Sequence, residues 1–310
     1  MVATEQIWST AYREPVPEHS GKPKFEVDRS LFPYEPHYLV LESGARVHYV
    51  DEGTGPALLL LHGNPTWSFV YRHLIAELRN TYRVVVPDYP GFGLSTAPGS
   101  FRFSAEEQAN AMIEFVCRLD LCDMTIMMQD WGGPIGFAIA ERYPERVAGF
   151  VVGNTWAWPI ERFGQRVFST LMGGWPGRVA AWSCNGVVRF FLSRGVVHSL
   201  SSAELSMYLA PFSSRTARRP THIFPAQLRG AGEFLQKVHD NLPPLCEKPA
   251  LLVWGSRDFA FRNPERERFE KLFRHHETVL LDRAGHFVQE DAPVEIASAI
   301  QVWSDRNAIA

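Results

Sequence analysis

From Tyr38 onward, the chain alternates short apolar runs with longer amphipathic stretches. Buried strands of about four to eight residues, separated by helical patterns, are typical of a parallel sheet with helices on both faces. The strand-like runs, in chain order, read YLVLE, ARVHYVDEG, ALLLLHG, RVVVPD, MTIMMQD, RVAGFVVG, PALLVWG and ETVLLD. Between them lie helix-like segments such as WSFVYRHLIAELR and AEEQANAMIEFVCRL. The pattern predicts an α/β fold with a doubly wound sheet.

The same pattern predicts how the chain is divided. The alternation stops after Asn154, and the next strand-like run is PALLVWG. The intervening sequence is rich in Trp, Phe, Gly and Arg, so we predict a helical cap at residues 155–230. The cap would be inserted into one core formed by residues 37–154 and 231–310. Residues 1–36 are polar and rich in proline, which predicts an irregular arm over the surface.

Composition narrows the class of partner. The 310 residues are 45% hydrophobic and 21% charged, so the chain can bury a full-sized core and does not belong to the disordered class. The formal net charge of −3 gives no electrostatic reason to bind nucleic acid or an anionic membrane. We therefore expect a small-molecule partner, with no nucleic acid and no membrane.

Cysteine spacing and terminal sequence bear on the compartment. The four cysteines show neither CxxC nor Cys/His metal-ligand spacing, and they are Cys117, Cys122, Cys184 and Cys246. A chain of this length does not need disulfides, so we expect reduced thiols and no metal. The N-terminus shows no basic segment followed by an apolar one, and no apolar run approaches the length of a membrane span. These features predict a cytoplasmic location.

Three residues with catalytic chemistry follow separate apolar runs. Asp130 follows MTIMMQ, Asp258 follows PALLVWGSR, and His286 follows the last run. Ligands of open α/β sheets bind at the carboxyl ends of strands, so we expect these side chains to meet. Asp130 occupies a strand-to-helix corner typical of a nucleophile, with Gly132 and Gly133 at the helix start. Each residue taken alone has a plainer interpretation: Asp130 as a helix N-cap, Asp258 as a loop cap, and His286 as a surface or core histidine with its hydrogen bonds satisfied.

A carboxylate in the nucleophile position determines the chemistry. It is ionised at neutral pH and needs no base, which leaves His286 for a second step. Asp130 would attack an sp3 carbon to give an alkyl ester, and His286 would then activate water to hydrolyse that ester. Asp258 would orient the imidazole, and the backbone N–H groups of Asn64 and Trp131 would form the oxyanion hole.

Two side-chain donors indicate the leaving group. The Asn64 amide and the Trp131 indole both donate hydrogen bonds without releasing a proton, which suits a departing halide. An opening epoxide would instead need an acid. The plainer interpretation is that Asn64 makes a turn before Pro65 and that Trp131 packs in the core.

The motifs HGNPTWSFVYR, DYPGFGLS, QDWGGPIGFAIA and AGHFVQED resemble those of the haloalkane dehalogenases, from about residue 38 to residue 303. The resemblance implies an α/β-hydrolase fold: a mostly parallel eight-stranded sheet with a helical cap inserted after strand 6. It implies Asp130 as nucleophile, His286 as base, and Asn64 with Trp131 as halide ligands. The triad acid of this family follows strand 6 or strand 7.

The residue after strand 6 is Asn154, so the resemblance implies that Asp258, after strand 7, is the acid. This combination is similar to the subfamily with an Asp-His-Asp triad and Asn/Trp halide ligands, which is consistent with a homo-oligomer. The implied partners are a small halogenated aliphatic substrate and a halide ion, with no cofactor. Trp156 and Trp158 follow a strand end and are candidates for the substrate pocket.

Two other functions stay open on this sequence. Epoxide hydrolases resemble the chain at HG-x-P and D-W-G, but they typically have His before the nucleophile and two tyrosines in the cap. Here Gln129 precedes Asp130, and Tyr208 is the only tyrosine between Asn154 and Glu247. A non-catalytic ligand-binding protein on the same fold is the second alternative, although a receptor has no use for a base placed to hydrolyse an ester.

Overall fold

The computed structural model describes residues 25–309 and contains one eight-stranded sheet in this part of the chain. The strands are β1 (His37–Val40), β2 (Arg46–Glu52), β3 (Ala57–Leu61), β4 (Arg83–Pro87), β5 (Met124–Asp130), β6 (Val147–Thr155), β7 (Ala250–Gly255) and β8 (His276–Leu281). Their spatial order is β1-β2-β4-β3-β5-β6-β7-β8. Strands β1 and β2 pair antiparallel, and all pairs from β4 to β8 are parallel. The predicted α/β class and the mostly parallel sheet are confirmed.

Burial on both faces explains why the central strands are continuous apolar runs. All seven residues of β5 are buried, as are all six residues of β7. In the register of β3 with β5, Leu60 lies opposite Met127 and Leu61 opposite Met128. Because β3, β5, β6 and β7 are neighbouring parallel strands, their carboxyl ends meet at one edge of the sheet.

Helices follow most strands. They are α1 (Arg72–Leu78), α2 (Ala105–Arg118), α3 (Gly132–Arg142), α4 (Phe163–Gly173), α5 (Trp175–Cys184), α6 (Gly186–Gly195), α7 (Ser202–Leu209), α8 (Arg219–Gly230), α9 (Gly232–Asp240), α10 (Leu242–Leu245), α11 (Asn263–Leu272), α12 (Val288–Asp291) and α13 (Pro293–Arg306). Short 3-10 turns lie at Ser68–Tyr71, Pro144–Arg146 and Ala210–Phe212. Helix α1 packs against α13, and α2 packs against α3.

The segment between β6 and β7 is helical, as predicted. Helix α4 packs against α5 and α8, whereas α9 and α10 pack against α3 of the core. Strand β6 ends at Thr155 and α8 ends at Gly230, close to the predicted cap boundaries at residues 155 and 230. The division into core and cap stays a prediction.

The predicted N-terminal arm is described only from residue 25, and residues 1–24 lie outside the described part. Residues 25–36 form no helix or strand. They are nevertheless packed firmly, because Phe32 and Tyr34 are buried and Phe32 contacts the rings of Trp67 and Phe69. The aromatic residues of this stretch therefore contribute to the core rather than only covering the surface.

Two further observations bear on the expected compartment. Cys117, Cys122 and Cys246 carry free thiols. In residues 25–309, no helix is both long enough and apolar enough to cross a membrane. The cytoplasmic location itself stays a prediction.

A buried ion pair connects α1, α7 and α12. The Arg72 guanidinium donates to both carboxylate oxygens of Glu290, at 2.7 and 2.5 Å, and to Glu204 at 2.7 Å. The Tyr208 hydroxyl also donates to Glu290, at 2.5 Å. Arg72 is 3% exposed and the Glu290 side chain is fully buried, so each charge relies on the other for stabilisation. Glu290 lies four residues after His286, so this pair also anchors the segment that carries the histidine.

We expect Arg72→Met to lower the free energy of unfolding by about 3–5 kcal/mol, because it leaves the Glu290 carboxylate buried without its partner. Urea denaturation followed by circular dichroism measures the loss. The control is Arg274→Met, which breaks a pair with Glu247 whose side chains are 70% and 58% exposed. The control should be nearly as stable as the wild type. Equal midpoints for the two variants would contradict the assignment.

Candidate active site

Asp130 lies at a sharp turn between β5 and α3. It ends β5 with a φ of +51°, in the left-handed region that residues with a side chain adopt at a cost. A Cβ on Gly63 would lie 2.4 Å from the Asp130 Cβ, and one on Gly132 would lie 2.4 Å from the Leu61 carbonyl oxygen. Only glycine therefore fits at these approaches. Trp131, not Asp130, takes the N-cap position of α3, so the plainer interpretation of Asp130 as N-cap is wrong.

Backbone N–H groups hold the Asp130 carboxylate. The Asn64 N–H donates to Oδ1 at 2.8 Å, and the Trp131 backbone N–H also hydrogen-bonds the carboxylate. The Thr155 hydroxyl donates to the Asp130 carbonyl oxygen at 2.5 Å and so fixes the turn. Burial raises the pKa of Asp130 above 3.8, although His286 and the two N–H groups oppose this effect. The site thus holds a buried carboxylate whose charge is supported by directed donors.

His286 joins the two predicted carboxylates. Its Nδ1 lies 3.0 Å from Asp258 Oδ2, and its Nε2 lies 3.7 Å from Asp130 Oδ2. A carboxylate only accepts hydrogen bonds, so Nδ1 carries a proton, and in the neutral ring Nε2 is the acceptor. Burial lowers the pKa of His286, but the Asp258 and Asp130 carboxylates outweigh burial and raise it above 6.5. The structure therefore brings all three predicted residues together.

Asn154 positions Asp258, a role that the sequence did not reveal. Its Nδ2 donates to Asp258 Oδ2 at 2.7 Å, and its Oδ1 accepts from the Gly255 N–H at 2.8 Å. The Ala260 N–H donates to Asp258 Oδ1 at 2.6 Å. In the sequence, Asn154 was notable only for not being a carboxylate. Its position near the end of β6, beside the end of β7, is the signal that could have identified it.

Gln129 is a second residue that the sequence reasoning missed. Its Nε2 lies 3.1 Å from His286 Nε2 and 3.1 Å from the His286 carbonyl oxygen. Gln129 is fully buried. In the sequence, its place next to the nucleophile served only to compare families, although a buried polar side chain in a largely apolar strand is itself a signal.

The two predicted side-chain donors lie beside the nucleophile. Asn64 Nδ2 donates to the Thr221 carbonyl oxygen of α8 at 3.3 Å. Because that carbonyl can only accept, it fixes which end of the amide faces it and leaves one N–H of Asn64 unused by this contact. The Trp131 ring is 3% exposed and meets the rings of Trp156 and Phe224 edge-on, at 4.7 and 5.1 Å.

Aromatic rings surround these groups. Trp156 stacks on Phe261 at 4.9 Å, and Phe261 and Phe259 each lie 5.7 Å from the His286 ring. Such surroundings exclude water and suit an apolar ligand. Trp158 instead packs on Phe269 at 4.9 Å and under the Arg268 guanidinium at 4.2 Å. The structure therefore places Trp156, but not Trp158, beside the predicted site residues.

One cluster in residues 25–309 offers atoms of the kind that bind metals. His73, Glu204 and Glu290 have such atoms within 4.8 Å of one another. The Arg72 guanidinium already pairs with both carboxylates, at 2.7 and 2.5 Å. Because this guanidinium supplies the positive charge that the carboxylates need, we assign no metal to the cluster.

Comparison with known proteins gives consistent matches. The alpha/beta hydrolase fold family matches residues 56–293. Haloalkane dehalogenase 2 of Mycobacterium tuberculosis is 43% identical over 89% of this chain and 97% of the relative. A cis-3-alkyl-4-alkyloxetan-2-one decarboxylase of Shewanella oneidensis is 30% identical over 88% of this chain and 89% of the relative.

A solved structure agrees with these sequence matches. The crystal structure of haloalkane dehalogenase DbeA from Bradyrhizobium elkani superposes with a TM-score of 0.81 at 25% identity, over 88% of this chain and 98% of that one. The family resemblance carried by the sequence motifs is thereby confirmed, whereas the subfamily stays a prediction. This chain belongs to the haloalkane dehalogenase family within the α/β-hydrolase fold.

Proposed function

We propose that this protein is a hydrolase that cleaves the carbon–halogen bond of small haloalkanes through an ester on Asp130. One observation carries the proposal: Asp130 Oδ1 accepts from the Asn64 backbone N–H at 2.8 Å, while Oδ2 lies 3.7 Å from a histidine held by Asp258. The two oxygens therefore have different surroundings. Oδ2 serves as the attacking atom, and Oδ1 becomes the carbonyl oxygen of the ester.

In the first step, Asp130 Oδ2 attacks the carbon that bears the halogen and displaces halide. The reaction needs a charged nucleophile with little water around it, which a buried carboxylate provides. The Asn64 amide and the Trp131 indole are the proposed halide ligands, because both donate without losing a proton. Trp156 and the neighbouring phenylalanines form the proposed apolar wall for the alkyl chain.

In the second step, His286 Nε2 takes a proton from water as the water oxygen attacks the Asp130 carboxyl carbon. Negative charge develops on Oδ1, which already accepts from the Asn64 N–H, and the Trp131 N–H hydrogen-bonds the same carboxylate. These two N–H groups form the proposed oxyanion hole. Asp258 stabilises the imidazolium. Collapse of the tetrahedral intermediate releases the alcohol and regenerates Asp130.

The structure disfavours epoxide opening. The epoxide oxygen needs an acid, and Tyr208 is the only tyrosine of the predicted cap. Its hydroxyl already donates to Glu290 at 2.5 Å, and burial raises the pKa of Tyr208 well above 10.0. A buried tyrosine engaged with a carboxylate is not available to a substrate.

A second candidate reaction is favoured by the oxetan-2-one decarboxylase relative at 30% identity. In a four-membered lactone, Asp130 would attack the sp3 carbon that carries the ring oxygen, and the leaving group would be a carboxylate. Loss of CO2 would then expel Asp130 and give an alkene without using His286 as a base. Products separate the two functions: bromide and alcohol from a bromoalkane, or an alkene from the lactone.

The test is a substrate panel of 1,2-dibromoethane, 1-bromohexane, a cis-3,4-dialkyloxetan-2-one and styrene oxide. We expect bromide with stoichiometric alcohol from the bromoalkanes. Alkene from the lactone with silence on every halide would transfer the proposal to the second reaction. Silence on the whole panel would contradict both and favour a binding protein.

Replacing the base should separate the two steps. We expect His286→Phe to release about one equivalent of bromide and then stop, because the ester forms but water is not activated. Intact-protein mass spectrometry should show the alkyl adduct. Asp130→Ala should release none, and His275→Phe, at an exposed histidine, should turn over normally. Steady turnover in the His286 variant would contradict the mechanism.

Acid should inactivate the enzyme through His286. The pKa of His286 lies above 6.5, and protonation of Nε2 both removes the base and pairs the ring with Asp130. The active form is thus present above this pKa and lost below it. We expect kcat/KM, measured as bromide release from about pH 5 to about pH 9, to fall about tenfold per pH unit on the acid side. An acid limb centred below 6.5 would contradict the assignment.

A further inference from the structure

The Gln129 amide lies against the nitrogen that serves as the base. Its Nε2 is 3.1 Å from His286 Nε2 and 3.1 Å from the His286 carbonyl oxygen. Gln129 directly precedes the nucleophile on β5 and is fully buried. Neither step of the proposed reaction uses this contact, although His286 Nε2 is the atom that must accept a proton from water.

A backbone carbonyl decides which end of the Gln129 amide faces the histidine. The His286 carbonyl oxygen can only accept, so the NH2 group must lie on that side. The amide oxygen lies 3.4 Å from Nε2 of Gln289, which is a donor. Reversing the Gln129 amide would bring its oxygen against the His286 carbonyl oxygen, where neither atom can donate. The NH2 group of Gln129 therefore donates toward both the His286 carbonyl and Nε2.

A donor at Nε2 favours the neutral imidazole. Nδ1 keeps its proton because it donates to Asp258. Nε2 therefore carries a lone pair in the neutral ring and a proton in the imidazolium. In the imidazolium, the Nε2–H would face the NH2 group of Gln129. The hydrogen bond between them would be lost, and two hydrogens of like partial charge would meet. Burial of the ring acts in the same direction, against the charged form.

The charged groups that face the ring act in the opposite direction. They are Asp258, in the loop after β7, and Asp130, at the end of β5. Both are carboxylates and both favour the imidazolium. An imidazolium would direct its Nε2–H at Asp130 and hold the nucleophile in an ion pair. The donor from Gln129 opposes this pairing.

We propose that Gln129 is a positioning residue that keeps His286 neutral until the alkyl ester has formed, and so leaves Asp130 free to attack. The inference rests on the proposed function, since it takes His286 as the base. In the second step, water replaces the Gln129 N–H at the Nε2 lone pair. Water then gives its proton to Nε2 while its oxygen bonds to the Asp130 carboxyl carbon.

The test compares the pH dependence of the bromide burst in three proteins: wild type, Gln129→Met and Gln108→Met. In Gln129→Met, the imidazolium loses the donor that opposes it. We expect the midpoint of the acid limb of the burst rate to rise by about 0.5 to 1 pH unit, because this is the effect of losing one hydrogen bond. The alkaline plateau should stay at the wild-type rate. A merely structural role would lower the plateau and leave the limb in place.

Gln108→Met is the matched control. Gln108 is also fully buried, and its Nε2 donates to the Pro90 carbonyl oxygen at 3.0 Å. The control loses the same kind of hydrogen bond away from His286, so its acid limb should coincide with that of the wild type. Gln129→Glu keeps the test decisive if Gln129→Met does not fold. Its carboxylate would accept from Nε2–H, so the limb should move up further.

Unshifted limbs in the Gln129 variants, with a normal bromide burst, would overturn the role of Gln129 and leave the proposed function intact. Absence of bromide from the wild type and from Gln108→Met would instead overturn the proposed function. The titration of the His286 ring, followed by NMR in each protein, makes the same comparison without turnover. There too, an equal midpoint in wild type and Gln129→Met would overturn the inference.

Discussion

The site depends on keeping a buried carboxylate charged. Removing a carboxylate from water is costly unless donors replace the lost hydration. For Asp130 these donors are the backbone N–H groups of Asn64 and Trp131, with His286 nearby. They converge because β3 lies next to β5 and because the chain turns through a left-handed conformation at Asp130. The close approach at Gly63 belongs to the same arrangement, since a side chain there would displace the carboxylate.

The segment that carries the base is anchored to the helical segment after β6. Asp291 accepts from the Gly285 N–H at 2.8 Å and from the Val197 N–H at 2.9 Å. The Phe287 N–H donates to the Gly195 carbonyl oxygen at 3.1 Å. These contacts lie on both sides of His286 in sequence, so a shift of the helical segment would also shift the imidazole. The surroundings of the substrate and the position of the base are therefore mechanically linked.

The sequence predicted those features of the site that depend on where the backbone runs. Buried strands appear as apolar runs, and the residues after those runs meet at one edge of the sheet, which located Asp130, Asp258 and His286. It did not predict contacts that depend on side-chain direction or on partners distant along the chain. Gln129 contacts a residue 157 positions away, and Asn154 contacts one 104 positions away. Apolar periodicity carries no information about such pairs.

Isotope transfer from water tests the ester on Asp130 most directly. Enzyme in excess over 1-bromohexane would be allowed one turnover in water enriched in oxygen-18. The account predicts alcohol with ordinary oxygen, taken from the carboxylate, and one heavy oxygen left in the peptide that contains Asp130. Heavy oxygen in the first-turnover alcohol, with an unlabelled peptide, would mean that water attacks the substrate directly and would contradict the account.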